Sequence, residues 1–302
     1  MSFPLFTSIK PPSNDGELSY LRDCLSSWRA AGFDPVALSG PSEIKKLRGI
    51  DLPVEFATLP ADGKPRIGAF LQAIRASGVR FAGIINSDCR IIGYPGGIAS
   101  NLASRLDRRL VLAWRLDEGA DRVTAMRYGY DAFFFDTTVL PEEDAGFHIG
   151  ETWWDLWFPY ACQKAGAQIE TLEVPLLLHR VHPLNWNMAQ WQANGRRFWK
   201  IIGNTKEARD TDIYKMAVGW PANFRKRRQT VTITTPDVET VLRAGAAAMF
   251  QATPFVERLR LILPPTLFAF LHWLGPRRRF MRLRYRLRLR TRTKALLMRI
   301  SS

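Results

Sequence analysis

Short apolar runs alternate along this chain with stretches whose apolar residues recur every three or four positions. The short runs predict strands buried on both faces, and the periodic stretches predict amphipathic helices. Phe3 to Ile9 opens as a strand. Leu18, Leu21, Leu25 and Trp28 then follow helical spacing, and Gly32 supplies the stop. Pro35 to Ser39 predicts a second strand, Ser42 the cap of a small helix through Leu47, and Val54 to Leu59 a third strand. Asp62-Gly63-Lys64-Pro65 turns the chain into a helix with Ile67, Phe70, Leu71 and Ile74 on one face, ended by Gly78. Phe81 to Ile85 is then a central strand. This alternation predicts an α/β chain with a doubly wound sheet.

Downstream, Gly93 to Gly97 predicts a loop leading to a helix through Leu106, and Leu110 to Trp114 another strand. Tyr128 to Asp136 reads as a polar turn feeding an aromatic strand. Phe147 to Trp157 opens a helix running to about Ala165, and Gln168 to Glu173 with Val174 to Leu178 reads as a strand pair. Trp186, Trp191, Phe198 and Trp199 mark an aromatic helical segment, and Thr235-Pro236 starts a further helix.

The central strand stops abruptly at Asn86-Ser87-Asp88, where polar atoms replace apolar ones. Ligands of open α/β sheets sit just outside the carboxyl ends of the strands. A carboxylate there can hold a divalent cation against a phosphate, since such cations take hard oxygen ligands and share them with phosphates. The plain alternative is that Asn86 and Asp88 cap a turn. Glu151 and Asp155 likewise have two readings. They either favour the positive end of a helix dipole, or one of them faces the cleft as a general base. Two acids beside many indoles suit a sugar, whose hydroxyls need acceptors and whose ring faces pack on aromatics.

Composition changes the picture at one end. The 302 residues can bury a large core, and 46% hydrophobic with 24% charged residues is ordinary for a globular chain. The formal charge of +15 is not ordinary, yet eleven of the basic residues fall between Arg277 and the C-terminus with no acid among them. Subtracting those eleven leaves +4 for the other 276 residues, so no specific nucleic-acid face is expected on the body. Leu261 to Pro265 and Leu267 to Leu274 are apolar but too short to span a bilayer. Beside the Arg-rich tail they form a two-signal pattern for an anionic membrane surface. The alternative is a basic tail that binds any polyanion weakly. Cys24, Cys89 and Cys162 are widely spaced, as for reduced thiols in the cytoplasm, and the start of the chain lacks a signal-peptide pattern. No Gly-x-Gly-x-x-Gly follows the first strand and no Walker loop is present, which excludes dinucleotide and ATPase motifs. The absent Gly-rich phosphate loop also places a nucleotidyltransferase last among the enzyme readings.

Taken in order, Ser8-Ile9-Lys10-Pro11, Ser27-Trp28, Asn86-Ser87-Asp88, Gly129-Tyr130-Asp131-Ala132-Phe133, Gly150-Glu151 through Trp154-Asp155, and His179-Arg180-Val181-His182 form a pattern. It resembles the nucleotide-sugar glycosyltransferases of the GT-A fold, particularly bacterial enzymes of surface-polysaccharide assembly. The resemblance spans about Phe3 to Trp186. Asn86-Ser87-Asp88 matches that family's Asp-x-Asp motif at its last position only.

The resemblance implies a GT-A-like doubly wound mixed sheet with a helical C-terminal extension and a basic tail. In domains this is residues 1–200 as the catalytic unit, 201–258 as the extension, and 259–302 as the apolar and Arg-rich segment. It implies that Asp88 binds Mn²⁺ or Mg²⁺ against the donor diphosphate and that His182, in preference to His179, completes the metal site. Asn86 stands at the donor-facing motif position but as an amide cannot offer the ribose a carboxylate. Lys10 and Lys64 contact phosphates in this reading, though lone loop lysines are also commonly just solvated. Asp155 or Glu151 deprotonates the acceptor. The implied partners are a UDP- or GDP-type sugar donor, a glycan or lipid-linked acceptor, and the anionic inner face of the cell membrane. The rival from another class is a catalytically inactive α/β protein that binds membrane or polyanions through its tail.

Overall fold

A computed structural model describes residues 2–92, 98–119, 122–172, 176–182, 187–203 and 228–232. Trp186, the loop 93–97, the Thr235-Pro236 helix start and the tail from Leu259 lie outside the described residues.

The first half builds as the periodicities dictate. Strand β1 (Pro4–Thr7) leads to helix α1 (Asp15–Ala30), whose Asn14 side chain caps the Glu17 amide. Gly32, at φ 91°, ends that helix in a conformation glycine adopts at no steric cost. Strand β2 (Asp34–Ser39), helix α2 (Pro41–Leu47), strand β3 (Glu55–Thr58), helix α3 (Ile67–Ala76) and strand β4 (Phe81–Ile85) follow. Ser42 is not the cap of α2: Gly40 holds that place, and Pro41 starts the helix because its missing N–H would have had no partner there.

The second half departs more. A short strand β5 (Cys89–Ile91) follows Asp88 directly, and helix α4 (Ile98–Ala103) comes next. Strands β6 (Arg109–Glu118) and β7 (Arg122–Asp136) are far longer than their apolar cores, so the polar stretch before the aromatic run is strand and not turn. Helix α5 (Trp154–Lys164) begins seven residues later than Phe147. Strands β8 (Gln168–Thr171) and β9 (Leu177–Arg180) do not pair with each other; each runs parallel to β6 on a different part of its length. Helix α6 (Met188–Ile202) carries the aromatic segment, and β10 (Arg228–Thr232) pairs antiparallel with β7.

The strand order is β3-β2-β1-β4-β7-β6-β9-β5, with β8 also on β6 and β10 also on β7. Four strands from the first half are parallel, β7 inserts antiparallel beside β4, and the sheet is therefore mixed. This is the doubly wound α/β arrangement that the GT-A resemblance implies. Alternation along the strands divides the core between two faces. Phe133 and Phe135 pack with α3 and α5, while Phe134 points the other way into the layer of α1 and α4. On that second face Phe33 stacks on Phe134 and Phe3 meets both edge-on, with 5.0–6.2 Å between ring centres. Truncating a fully buried ring such as Phe134 costs about 3–5 kcal/mol. A side chain at Gly83 would put its Cβ 2.6 Å from Leu5 and 2.9 Å from Phe134, so the centre of the sheet closes only around glycine.

Candidate active site

The site starts where β4 stops. Asn86 accepts the Cys89 amide at 3.1 Å through its carbonyl, which folds Asn86-Ser87-Asp88 into a tight turn before β5. Strand β5 pairs antiparallel with β9, placing Cys89 opposite His179. That register brings Asp88 to the end of β9. His182 Nε2 lies 3.1 Å and His179 Nε2 3.5 Å from Asp88 Oδ2. One ligand atom from each of the three residues falls within 4.8 Å of the other two. A carboxylate and two imidazoles at that spacing fit a divalent cation with open positions left for other ligands. His179 is buried, Asp88 half-buried and His182 exposed, so the cluster reaches solvent through His182 and Asp88.

Behind these three stands a buried polar network. Asp117, opposite His179 in the β6–β9 ladder, lies 3.0 Å from His179 Nδ1 and so orients the ring toward Asp88. Arg115 donates to Asp117 at 2.7 Å through Nε and to Asp131 at 2.5 Å through Nη1. The Asn86 amide also donates to Asp131, at 2.6 Å. Burial opposes a charged Asp88, but hydrogen bonds and charge from His179 and His182 hold its carboxyl well below the usual range. Burial likewise works against a charged His179, yet the Asp117 and Asp88 carboxylates lift it to about 9. The network stores one more feature: Asp131 Oδ2 is buried without a hydrogen-bond partner.

Asp155 sits in the first turn of α5. The turn before it is sharp, with Gly150 at φ 79° and Trp153 at φ 77°, the latter a left-handed conformation rare for a bulky residue and typical of functional sites. Trp153 is pinned by Trp191 and Phe198, each 5.2 Å away between ring centres. Burial raises the Asp155 carboxyl, and the Asp131 charge raises it further, to about 7. Its surface is not fully closed: Asp155 stays only partly covered while the surrounding protein removes most of its hydration.

The other expected residues are placed as follows. Glu151 lies in the turn before α5, not on the helix, and faces Lys64 and His148 at 3.8 Å each, with the Asn194 amide at 3.3 Å. Lys64 faces Glu151 and keeps its side chain exposed. Lys10 is exposed in the loop after β1. His182 and His179 both lie beside Asp88. The residues that sequence reasoning missed are Arg115, Asp117 and the role of Asp131. Their signal was present, because charges at alternate positions of the buried strand Trp114-Arg115-Leu116-Asp117 need partners.

No family model and no curated protein matches the chain. Among solved structures, TarS residues 1–349 of S. aureus in complex with UDP-GlcNAc is 13% identical over 86% of this chain and 85% of its own, with a TM-score of 0.48. The same protein in complex with UDP is 14% identical over 90% and 86%, at 0.45. A Desulfovibrio desulfuricans G20 chain named for nucleotide-diphospho-sugar transfer is 14% identical over 75% and 99%, at 0.39. These are loose superpositions, too distant to transfer a substrate or a residue role.

Proposed function

We propose that the chain is a metal-dependent glycosyltransferase that moves a sugar from a nucleoside-diphosphate donor to a hydroxyl acceptor. The observation that carries this reading is the convergence of Asp88, His179 and His182 at a strand end, with the Asp155 carboxyl close enough to feel the charge of Asp131 in the network behind them. A divalent cation held by those three side chains would offset the charge of the donor diphosphate and of the departing nucleotide. Two imidazoles in the donor set favour Mn²⁺ over Mg²⁺, which prefers oxygen ligands and keeps its waters.

Asp155 is the base. Its carboxylate takes the proton of the acceptor hydroxyl as that oxygen bonds to the anomeric carbon, and the bond from that carbon to the phosphate oxygen breaks. The electron pair leaves with the nucleoside diphosphate. A direct attack of this kind inverts the anomeric centre. A pKa near the working pH suits the task, since the group must be ionised yet still accept a proton. Asp131, Arg115 and Asp117 hold Asn86 and His179 in place without touching substrate. Glu151, bound to Lys64 and Asn194, shapes the turn that presents Asp155 and Trp153.

The donor is of UDP or GDP type, and the acceptor is a glycan or a lipid-linked glycan at the inner face of the cell membrane. The support for the membrane side is the eleven basic residues from Arg277 onward beside an apolar segment. Among the described residues no helix is long and apolar enough to cross a membrane. The test is release of nucleoside diphosphate from a panel of UDP- and GDP-sugars with Mn²⁺. Turnover with at least one donor is expected, and no release from any of them would sink the reading.

A further inference from the structure

We infer that Tyr20 is a positioning residue that holds the two halves of the cation site together; the inference rests on the reading of Asp88, His179 and His182 as cation ligands. Tyr20 lies on α1, far from those residues in sequence, and its hydroxyl uses both of its hydrogen-bonding capacities on their backbone. It donates to the Asp88 carbonyl at 3.0 Å and accepts from the Arg180 amide at 2.9 Å. Asp88 belongs to the turn after β4. Arg180 lies between His179 and His182. One buried hydroxyl therefore spans the separate segments that carry the three ligands. The Arg180 guanidinium lies 3.9 Å from the centre of the Tyr20 ring, over its face.

The attachment of β5 to α1 does not need this hydroxyl. Trp28 Nε1 donates to the Cys89 carbonyl at 2.7 Å, and Ser27 Oγ accepts the Ile91 amide at 3.0 Å. Those two bonds fasten β5 to the helix but reach nothing on β9. The β5–β9 ladder joins the two segments from Cys89 and His179 onward, and the Tyr20 hydroxyl adds a tie from α1 at their ligand-bearing ends, to Asp88 on one and Arg180 on the other. Phenylalanine at this position would fill the same space yet leave a part-buried carbonyl and a part-buried amide without this partner. The β5–β9 ladder would remain, but the ends that carry Asp88 and His182 would lose their common tie to α1. A cation site tolerates little loosening of that kind, since its ligands must meet at one point.

The experiment compares Mn²⁺ affinity, by calorimetry on the full chain, among the wild type, Tyr20→Phe and Ser27→Ala, at a temperature where all three are folded. Tyr20→Phe is expected to weaken Mn²⁺ binding by about tenfold or more, the range seen when supporting partners of metal ligands are removed, with Ser27→Ala within about twofold of wild type. Unchanged affinity in Tyr20→Phe overturns the inference, and so does an equal loss in both variants, which would reflect general loosening of α1. Wild-type protein that binds no Mn²⁺ removes the cation site itself and the inference with it, and this result is visible before any substitution. A second measurement needs no variant. The Arg180 amide should exchange slowly with solvent in the wild type; exchange as fast as an open loop overturns the inference.

Discussion

The side-chain amide of Asn86 donates to Oδ1 of Asp131 across 2.6 Å, tying the turn after β4 to strand β7. Asparagine at the first position of the motif is thus committed to a buried carboxylate, and a second carboxylate there would face it directly. Asn86→Asp, which restores the full Asp-x-Asp pattern, should destabilise the fold by about 1–3 kcal/mol, the cost of a buried polar group that loses its partner. Thermal unfolding and turnover check this together. A variant that is both as stable and more active than wild type would show that Asp131 does not set the residue at position 86.

Asp155→Asn should lower transfer by about 10²–10⁴-fold, the usual contribution of a general base, with nucleotide affinity little changed. Glu151→Gln should cost less, because Glu151 acts on the turn through Lys64 and Asn194. Steady-state rates with nucleotide affinities measured separately decide this. A larger loss in Glu151→Gln would exchange the two roles.

Asp155 also sets a pH dependence, since burial and then the Asp131 charge hold it at about 7. Transfer should rise with pH through that value as the base ionises. Stability runs the opposite way. A carboxyl raised in the folded state contributes fully below its unfolded value of about 4 and loses that contribution as pH climbs through the folded one. Asp155→Asn should therefore gain stability relative to wild type between pH 5 and pH 8. Melting temperatures of both proteins at the two pH values test it; a constant difference would mean that Asp155 is not held up by burial.

The first half of the fold was legible because each element there obeys its own period: Ile67, Phe70, Leu71 and Ile74 form one helical stripe, and all four are buried. Asp88 was legible for the same reason, as the point where an apolar strand turns polar. The second half was not. Strand β7 includes polar residues because ladder pairing with β6 and β10 settles its conformation, whatever its local composition. Glu151 and Asp155 read as one helix start, but the left-handed Trp153 divides them, and no local pattern announces a bulky residue in that conformation. The Arg115–Asp117–His179 chain depends on β6 lying beside β9, a parallel pairing of segments about sixty residues apart in sequence that a spacing argument cannot reach.

The basic tail gives a prediction independent of the catalytic site. Removing Arg277 to Ser302 deletes eleven positive charges and no proposed site residue, so donor turnover with a soluble acceptor should persist. Binding to vesicles of anionic lipid should fall, and in the full chain it should weaken as salt rises. Co-sedimentation at low and high salt measures both. A full-length protein that ignores anionic vesicles at low salt contradicts the membrane assignment.

The central claim is that Asp88, with His179 and His182, makes a nucleotide site that works through a divalent cation. Calorimetric titration of UDP and of GDP, with Mn²⁺, with Mg²⁺ and with neither, into wild-type protein and Asp88→Asn, tests it most directly. One nucleotide should bind the wild type tightly with Mn²⁺, more weakly with Mg²⁺ and poorly without metal, and Asp88→Asn should lose the Mn²⁺-dependent part while unfolding at a similar temperature. Absence of Mn²⁺-dependent binding for both nucleotides, or undiminished binding in Asp88→Asn, would contradict it.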